Sequence, residues 1–305
     1  MTRRTGAVLA LLAALGGVSS HAQDTDYAAV EVKATQVNGN IWMLEGAGGN
    51  IGVSAGPDGI LIVDVQFAPL SDKIKAALAA INPGKVRYVV NTHWHGDHTG
   101  GNAVFAADAP ILAQANVRKR MSTKQEGAGK VSEPSPKEAL PTITYDKSAN
   151  VHVNGEEVKL LYFPAGHTDG DTVVYFTGSY VVHMGDLLFN GRFPIIDVSS
   201  GGTVDGYIKN VETVLAKLPA NIKVIPGHGP LAGKAEVQAF RDMLAETLGI
   251  VKTKVGEGKA LDQIQVEGLP EKYASWSWEL VDTKSWLATL HGAATTGNGA
   301  KPAAE

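Results

Sequence analysis

The sequence predicts an α+β protein in which two β-sheets pack against each other and helices cover both outer faces. Three observations predict this layered arrangement. Apolar strand patterns are followed by helical patterns twice along the chain, so its two halves resemble each other. Hydrophobic residues make up 44% and charged residues 19% of the chain, an ordinary globular composition. The 35 glycines among 305 residues indicate many tight turns.

The first half begins with apolar segments separated by turn signals such as Gly-Pro-Asp-Gly. Alternating apolar residues predict antiparallel strands, and apolar residues at helical spacing predict the first helix. The predicted elements are strands over 40–45, 50–55 and 59–65, a helix over 69–81, a strand over 86–91, and a strand over 110–112 between helices over 102–107 and 113–121.

The second half follows a polar stretch over 122–141, which we interpret as a long loop near a site rather than an interdomain linker. Strand and helix patterns then resume in the same order as before. The predicted elements are strands over 151–153, 158–163, 172–177 and 180–186, a helix over 204–218, a strand over 222–225, helices over 235–255 and 281–291, and a frayed end over 292–305.

The N-terminus has the features of a cleavable signal peptide. Arg3 and Arg4 precede an apolar run that ends near Val18, and small residues lead up to a cleavage position after Ala22. We therefore expect a signal peptide over 1–22, one domain over 23–294 and a disordered tail over 295–305. Export through such a signal predicts a periplasmic or secreted protein.

Composition also restricts the partners and the chemistry. No apolar run reaches the ~18 residues of a membrane-spanning helix. The formal net charge of −4 lacks the basic character that nucleic-acid binding requires. We therefore expect a small-molecule partner, with the oligomeric state left open. With zero cysteines, a thiolate nucleophile is excluded and metal ligands must be His, Asp or Glu.

The segment after the predicted strand over 86–91 concentrates ligand-type side chains. His93, His95, Asp97 and His98 fall within the stretch Asn91–Asn102, at the carboxyl end of that strand. Imidazole and carboxylate groups are usual zinc ligands. Four such groups in one loop would be costly to hold together without a cation, so we interpret them as metal ligands rather than a solvated loop.

Three later residues fit the same interpretation. His167 follows the strand over 158–163, Asp186 stands at the end of the strand over 180–186, and His228 follows the strand over 222–225 between glycines. Each alone is a weak signal. Four strand ends thus supply seven ligand-type side chains, a number that suits two metal ions rather than one.

Together, the H-x-H-x-D-H run, Gly166-His167-Thr168, Gly185-Asp186 and Pro226-Gly227-His228-Gly229 resemble the metallo-β-lactamase fold superfamily over residues 41–230. This resemblance implies a four-layer αββα sandwich of two mixed β-sheets with the metals at one edge. It further implies one metal held by His93, His95 and His167, a second held by Asp97, His98 and His228, and Asp186 bridging both.

The implied centre suits hydrolysis. Three neutral imidazoles leave a tetrahedral metal one open position, and two metals can share a hydroxide and stabilise a developing oxyanion. Asp97 can both ligate a metal and orient that hydroxide, which makes it the candidate catalytic residue. Two zinc ions are expected, although iron or manganese also accept these ligands.

Three further residues are candidates for supporting roles. Asp64 follows an apolar strand, and we expect it to hold the histidine loop, with a strand-end cap as the alternative. Asn190 and Arg192 follow Asp186 and are candidates for holding an anionic substrate, since arginine suits carboxylate recognition. The alternative for that segment is an ordinary surface loop. His183 is expected to be structural, and His152 and His291 carry no partner pattern that would indicate a ligand.

The resemblance implies a zinc-dependent hydrolase of an ester, thioester, lactone or β-lactam. A true periplasmic β-lactamase is the alternative, although zinc β-lactamases of one type use a cysteine ligand that this chain lacks. A phosphodiesterase or a non-catalytic metal-binding protein is less favoured, because the chain is acidic and its ligand set is complete. A diiron oxidoreductase is disfavoured, because those relatives carry Glu where this chain has His95.

The predicted cleavage site can be checked directly. We expect protein recovered from a bacterial periplasm to begin at Gln23 or within a few positions of it, as intact mass and N-terminal peptide mass spectrometry would measure. Cytoplasmic protein that retains Met1 would contradict both the cleavage and the export.

Overall fold

The computed structural model of the chain describes residues 25–127 and 130–296. The predicted signal peptide and residues 297–305 of the predicted tail lie outside the described residues, so both remain predictions. Among the described residues, no helix is both long and apolar enough to cross a lipid bilayer.

The first sheet has seven strands, and the second half of it is parallel. Strands β1 to β4 form an antiparallel meander, whereas β4, β5, β6 and β9 pair in parallel. The order is β1-β2-β3-β4-β5-β6-β9. The strands are β1 (Lys33–Asn38), β2 (Ile41–Glu45), β3 (Ile51–Gly56), β4 (Gly59–Val63), β5 (Val86–Val90), β6 (Ile111–Gln114) and β9 (Ile143–Tyr145).

The second sheet has six strands, which lie side by side in their sequence order. A separate two-stranded hairpin falls between β6 and β9 in the sequence. Only β13 and β14 pair in parallel, so both sheets are mixed. The strands are β10 (Ser148–Val153), β11 (Glu156–Phe163), β12 (Asp171–Phe176), β13 (Val181–Phe189), β14 (Lys223–His228) and β15 (Ala232–Gly233), and the hairpin is β7 (Gln125–Gly127) with β8 (Lys130–Ser132).

The α-helices fall on the outer faces or in the loops at strand ends. They are α1 (Ser71–Ile81), α2 (Gly96–Thr99), α3 (Asn102–Phe105), α4 (Ala115–Met121), α5 (Val204–Lys217), α6 (Lys234–Gly256), α7 (Leu261–Glu267) and α8 (Thr283–Thr296). Short 3-10 turns cover Ala68–Leu70, Lys137–Ala139, Val198–Ser200 and Glu271–Trp276.

Three apolar layers confirm the predicted αββα sandwich. In β4, Leu61 and Val63 point to the core between the sheets, whereas Ile60 and Ile62 point to the core under α1. This alternation follows from the two-residue period of a strand, and burial on both faces explains why all of β4 is apolar. A third core packs β13 against α5, α6 and α8.

Several predicted boundaries were wrong. The helix predicted over 113–121 begins at Ala115, because residues 113 and 114 belong to β6. The strand predicted to end at Asp186 continues to Phe189, because the apolar run from Leu187 to Phe189 is fully buried. The helix predicted to end at His291 continues to Thr296, so the first residues of the predicted frayed end are helical. Ala293 and Ala294 pack against the C-terminal core, which extends the helix beyond Gly292.

The predicted long loop over 122–141 is partly ordered as the β7–β8 hairpin and a 3-10 turn. Arg120, at the end of α4, forms two contacts of 2.6 and 2.8 Å with the carboxylate of Asp169 and one of 3.0 Å with Gln125. The hairpin is therefore tied to the loop between β11 and β12, close to the predicted metal ligands.

Candidate metal centre

The predicted ligands meet where strands of both sheets end. His93, His95, Asp97 and His98 lie in the loop after β5 and on α2, in the first sheet. In the second sheet, His167 lies between β11 and β12, Asp186 lies within β13, and His228 is the last residue of β14. The sandwich therefore brings together side chains that are up to 135 positions apart in the sequence.

A local irregularity of β13 directs Asp186 towards the other ligands. The pairing of β13 with β14 shifts register on both sides of Gly185, whose φ is +50°. Such an irregularity redirects the side chains that follow it. Sequence reasoning took Asp186 for a strand end because it could not see this distortion.

The seven ligand-type side chains form two groups, and within each group the ligand atoms lie within 4.8 Å of one another. Asp186 lies between the groups. Its Oδ2 is 3.4 Å from His167 Nε2, and its Oδ1 is 3.1 Å from His98 Nε2. The first group is His93, His95, His167 and Asp186, and the second is Asp97, His98 and His228.

Three buried atoms at the centre lack a hydrogen-bond partner among the described residues: His93 Nε2, His98 Nε2 and Asp186 Oδ1. Buried polar atoms are rarely left unpaired, because each costs about 1–3 kcal/mol. His98 Nε2 and Asp186 Oδ1 lie 3.1 Å apart, and all three atoms are typical metal-ligating atoms. The residues present therefore fit a divalent metal ion in each group.

Glycines let the backbone approach these ligands closely. A Cβ atom at Gly49 would lie 2.1 Å from a ring carbon of His98, and one at Gly227 would lie 2.1 Å from Asp186 Oδ1. Larger residues at either position would displace a ligand. Glycine at both positions is thus required by the packing around the centre.

The two groups differ in their protonation. Burial lowers the pKa of His93 well below its usual value and that of His167 to about 4. Burial also opposes protonation of His98 and His228, but Asp186 and the neighbouring carboxylates raise the pKa of His98 well above its usual value and that of His228 to about 9. His93 and His167 are therefore neutral near pH 7, whereas His98 and His228 carry protons in the metal-free protein.

Asp97 is an ionised carboxylate near pH 7. Burial would raise its pKa, but His98 and His228 lower it to about 2. Its Oδ2 lies 3.5 Å from His98 Nε2 and 3.3 Å from His228 Nε2. Because its side chain is 29% exposed and lines the cavity described below, Asp97 joins the second group of ligands to the space a substrate would occupy.

Asp64 contacts the histidine loop at two residues. Its Oδ1 accepts a hydrogen bond from the Thr92 backbone N–H (2.8 Å), and its Oδ2 accepts from the Thr92 hydroxyl (2.7 Å) and lies 2.8 Å from His98 Nδ1. A carboxylate at this distance accepts from Nδ1 and leaves Nε2 to face the centre. The side chain is fully buried, so these contacts replace its lost hydration.

Sequence reasoning missed Asp171, which shapes the loop that carries His167. Its carboxylate accepts hydrogen bonds from the backbone N–H groups of His167 (2.7 Å) and Thr168 (3.0 Å), and from the Thr168 hydroxyl (2.5 Å). Its place at the start of an apolar strand, four residues after His167, is a usable signal, because Asp side chains commonly accept hydrogen bonds from nearby backbone N–H groups in turns.

Sequence reasoning also missed Asp197, which gives no local signal. Its Oδ2 lies 2.9 Å from His95 Nε2, although the two residues are 102 positions apart. The surrounding segment, Ile195-Ile196-Asp197-Val198, resembles an ordinary loop between a strand and a helix. Only the tertiary fold brings this carboxylate to the histidine loop.

A cavity of about 1530 Å³ opens over the two groups. Five of the ligands line it, together with apolar residues from several loops. Val198 and Leu280, which are 61% and 60% exposed, border it and present unusually exposed apolar surface. The remaining apolar lining residues are Ala47, Phe67, Trp94, Ile195, Ile196 and Trp278.

The two predicted substrate contacts are placed differently. Arg192 lines the cavity, and its guanidinium carbon lies 5.1 Å from the ring centre of Trp278. Within the described residues, its side chain has no ion-pair partner. Asn190 does not line the cavity, because its amide N–H donates to the carbonyl of Pro230 (2.9 Å) and so fixes the loop after β14. A substrate contact for Asn190 therefore stays a prediction.

His183 is structural, as the sequence indicated. It is fully buried, its Nε2 lies 3.0 Å from the carbonyl oxygen of Asn50, and its Nδ1 accepts from the Gly185 N–H. His152 and His291 also lie outside both ligand groups.

The fold is a four-layer sandwich, and two adjoining groups of imidazole and carboxylate ligands lie beneath an open cavity. These features are typical of metallohydrolases. The family model described as the metallo-beta-lactamase superfamily matches residues 34–228. The chain therefore belongs to the metallo-beta-lactamase superfamily, whose members are mostly metal-dependent hydrolases.

Comparisons with individual proteins agree with this family. The 2,4-dinitroanisole O-demethylase subunit alpha of Nocardioides sp. is 27% identical over 74% of this chain and 66% of its own length. The hydroxyacylglutathione hydrolase of Nitrosococcus oceani is 29% identical over 52% of this chain and 55% of its own length. A metallo-beta-lactamase structure from Pontibacter korlensis has the same fold, with a TM-score of 0.60 and 15% identity over 70% of this chain and 99% of its own.

The protonation difference predicts how metal loading depends on pH. Metal binding requires neutral imidazole, so occupation of the second group near pH 7 should release protons from His98 and His228, and its affinity should rise with pH up to about 9. Occupation of the first group should release few protons from His93 and His167, because the pKa of His167 is about 4 and that of His93 is also low.

Isothermal titration of zinc into metal-free protein, in two buffers of equal pH but different ionisation enthalpy, measures the protons released at each step. Equal proton release in the two binding steps, or no proton release in either step, would contradict the protonation states given above.

Proposed function

We propose that the protein is a binuclear zinc-dependent hydrolase that cleaves an ester, thioester, lactone or β-lactam. The observation that carries the proposal is the convergence of seven ligand-type side chains, three of them with unpaired buried atoms, beneath one open cavity. Iron or manganese would suit the same ligands. The signal-like N-terminus supports export to the periplasm or beyond as part of this proposal.

His93, His95 and His167 would hold one ion, Asp97, His98 and His228 would hold the other, and Asp186 would contact both. When bound, the two ions supply a water-derived nucleophile near neutral pH and stabilise negative charge on the substrate oxygen. Asp97, ionised and partly exposed at the cavity, would accept a hydrogen bond from the O–H of a water molecule there and orient it for attack. The chain thus needs no side-chain nucleophile.

The cavity supports a substrate with both an anionic and an apolar part. Arg192 is the one lysine or arginine among the described lining residues, and its guanidinium stacks on Trp278, which leaves its N–H groups free to bind a carboxylate or another anion. Val198, Leu280 and Trp278 offer apolar surface around the same cavity. An acyl chain or ring would cover these exposed side chains.

Two observations bear on the choice among substrates. Asp186 stands where a cysteine ligand would be expected in one type of zinc β-lactamase, which favours an ester, thioester or lactone over a β-lactam. The sequence similarity to a protein named hydroxyacylglutathione hydrolase supports a thioester, although the match spans only 55% of that relative. Periplasmic β-lactamase activity stays as the alternative outcome of the assay.

The function is tested on the mature protein with its metal content measured by elemental analysis. We expect about two zinc equivalents after reconstitution and dialysis, and turnover of a lactone, a thioester or an ester. Turnover confined to a chromogenic cephalosporin would favour the β-lactamase. Turnover confined to a phosphodiester, or metal binding without any turnover, would overturn the proposal.

The variant Asp186→Ala tests the binuclear arrangement. Because three histidines still hold the first ion, we expect the variant to lose the second ion more readily and its kcat/KM to fall more than the ~10–100-fold typical of residues that only support a ligand. The exposed Asp262→Ala variant is the matched control for loss of one carboxylate. Two retained ions with near-normal turnover would refute a bridging role for Asp186.

The variant Arg192→Gln tests the anionic part of the substrate. For an anionic substrate we expect KM to rise about 10-fold or more with little change in kcat, since loss of a charged hydrogen bond costs about 1.5–3 kcal/mol. An uncharged analogue should be hydrolysed equally well by both proteins. An equal loss for both substrates would show that Arg192 maintains the cavity instead of binding an anion.

A further inference from the structure

The loop between β13 and α5 contacts two histidines of the first ligand group. At His167, the carbonyl of Ile195 lies 2.7 Å from Nδ1, and the Asp197 backbone N–H donates to the His167 carbonyl (2.9 Å). At His95, the Asp197 carboxylate lies 2.9 Å from Nε2. One short loop therefore contacts two of the three imidazoles of this group.

These contacts fix the ring nitrogen that carries the proton. A carbonyl oxygen and an ionised carboxylate can only accept, so the proton sits on Nδ1 of His167 and on Nε2 of His95. The remaining nitrogens, His167 Nε2 and His95 Nδ1, face each other at 2.8 Å. Two lone pairs this close repel unless a cation or a proton lies between them.

The Asp197 carboxylate is itself held in place. Its Oδ1 accepts hydrogen bonds from the Ser199 hydroxyl (2.5 Å) and the Ser200 backbone N–H (3.1 Å), while Oδ2 faces His95. The Asp197 carbonyl accepts from the Gly202 N–H at 2.9 Å. Gly202 has no room for a side chain, since a Cβ there would lie 2.3 Å from the His167 carbonyl oxygen.

We propose that Asp197 is a positioning residue that accepts the His95 Nε2–H, holds the ring in the orientation that turns Nδ1 towards His167, and so sets the metal affinity of the first group. The inference rests on the proposed metal centre and deepens it. The side chains of His95 and Asp197 are only 22% and 17% exposed, so water competes weakly for their contact. A surface ion pair with no further role would not need such support.

Three variants test this role: Asp197→Ala, which removes the acceptor, Asp197→Asn, which keeps an amide oxygen able to accept, and Ser199→Ala, which removes only one supporting bond. Zinc affinity is measured on metal-free protein by competition with a chromophoric chelator. We expect first-site affinity to fall about 10–100-fold in Asp197→Ala, less in Asp197→Asn, and least in Ser199→Ala.

The exposed Asp242→Ala variant is the control for loss of one negative charge, and its affinity should stay within about twofold of the unmodified protein. Thermal unfolding of each metal-free variant, followed by circular dichroism, shows whether the fold is intact. A lower affinity with an unchanged unfolding midpoint separates positioning from a general loss of structure. Unchanged zinc affinity in Asp197→Ala would overturn the inference.

A second readout observes the ring itself. In zinc-loaded protein labelled with ¹⁵N at histidine, we expect a protected Nε2–H signal from His95 that persists in Asp197→Asn and is lost to exchange in Asp197→Ala. If the unmodified protein binds no zinc, the proposed function fails. If it binds two ions and Asp197→Ala binds them equally well with the signal intact, only the role of Asp197 fails.

Discussion

The buried carboxylate of Asp186 is the constraint on which the rest of the site depends. It is 5% exposed, and four imidazole nitrogens lie within 3.8 Å of its oxygens. An ion withdrawn from water costs several kcal/mol unless nearby charge compensates it. Burial therefore favours the protonated acid, yet His98 and His228 hold the pKa of Asp186 well below its usual value. His98 and His228 therefore supply the positive charge that stabilises this buried carboxylate.

The ligands keep this arrangement only if the two sheets stay in a fixed position relative to each other. The backbone N–H of Asn50, directly before the first sheet's third strand, donates to the carbonyl of Gly227 (2.7 Å). Its side-chain amide donates to the carbonyls of Pro226 and Gly229. These bonds join the first sheet to the strand that carries His228. The apolar core between the sheets excludes water behind them, so small shifts of one sheet against the other are resisted.

Most of the fold followed from local patterns, and most of the ligands followed from their places at strand ends. Strand β4 and helix α1 were predicted because burial on a fixed face imposes a periodic sequence. Strand β1 was missed because its edge position leaves the polar sequence Lys-Ala-Thr-Gln-Val-Asn largely exposed. Asp197 was missed because its contact with His95 joins segments that are distant in sequence, and periodicity carries no information about such contacts.

Several backbone conformations next to the site are strained. Five non-glycine residues in the described chain have positive φ. Asp64 (64°) and Gln66 (49°) lie in the loop after β4, and Ala165 (53°) lies in the loop that carries His167. Such conformations cost about 1–3 kcal/mol each and persist only where surrounding contacts determine them. Asp64 meets this condition through its contacts with Thr92 and His98. Val198 and Leu280, at the cavity, are exposed apolar side chains that do not belong to a hydrophobic core. Part of the strained backbone and of the exposed apolar surface therefore lies at the site and its cavity, as expected where a site rather than stability has determined the sequence.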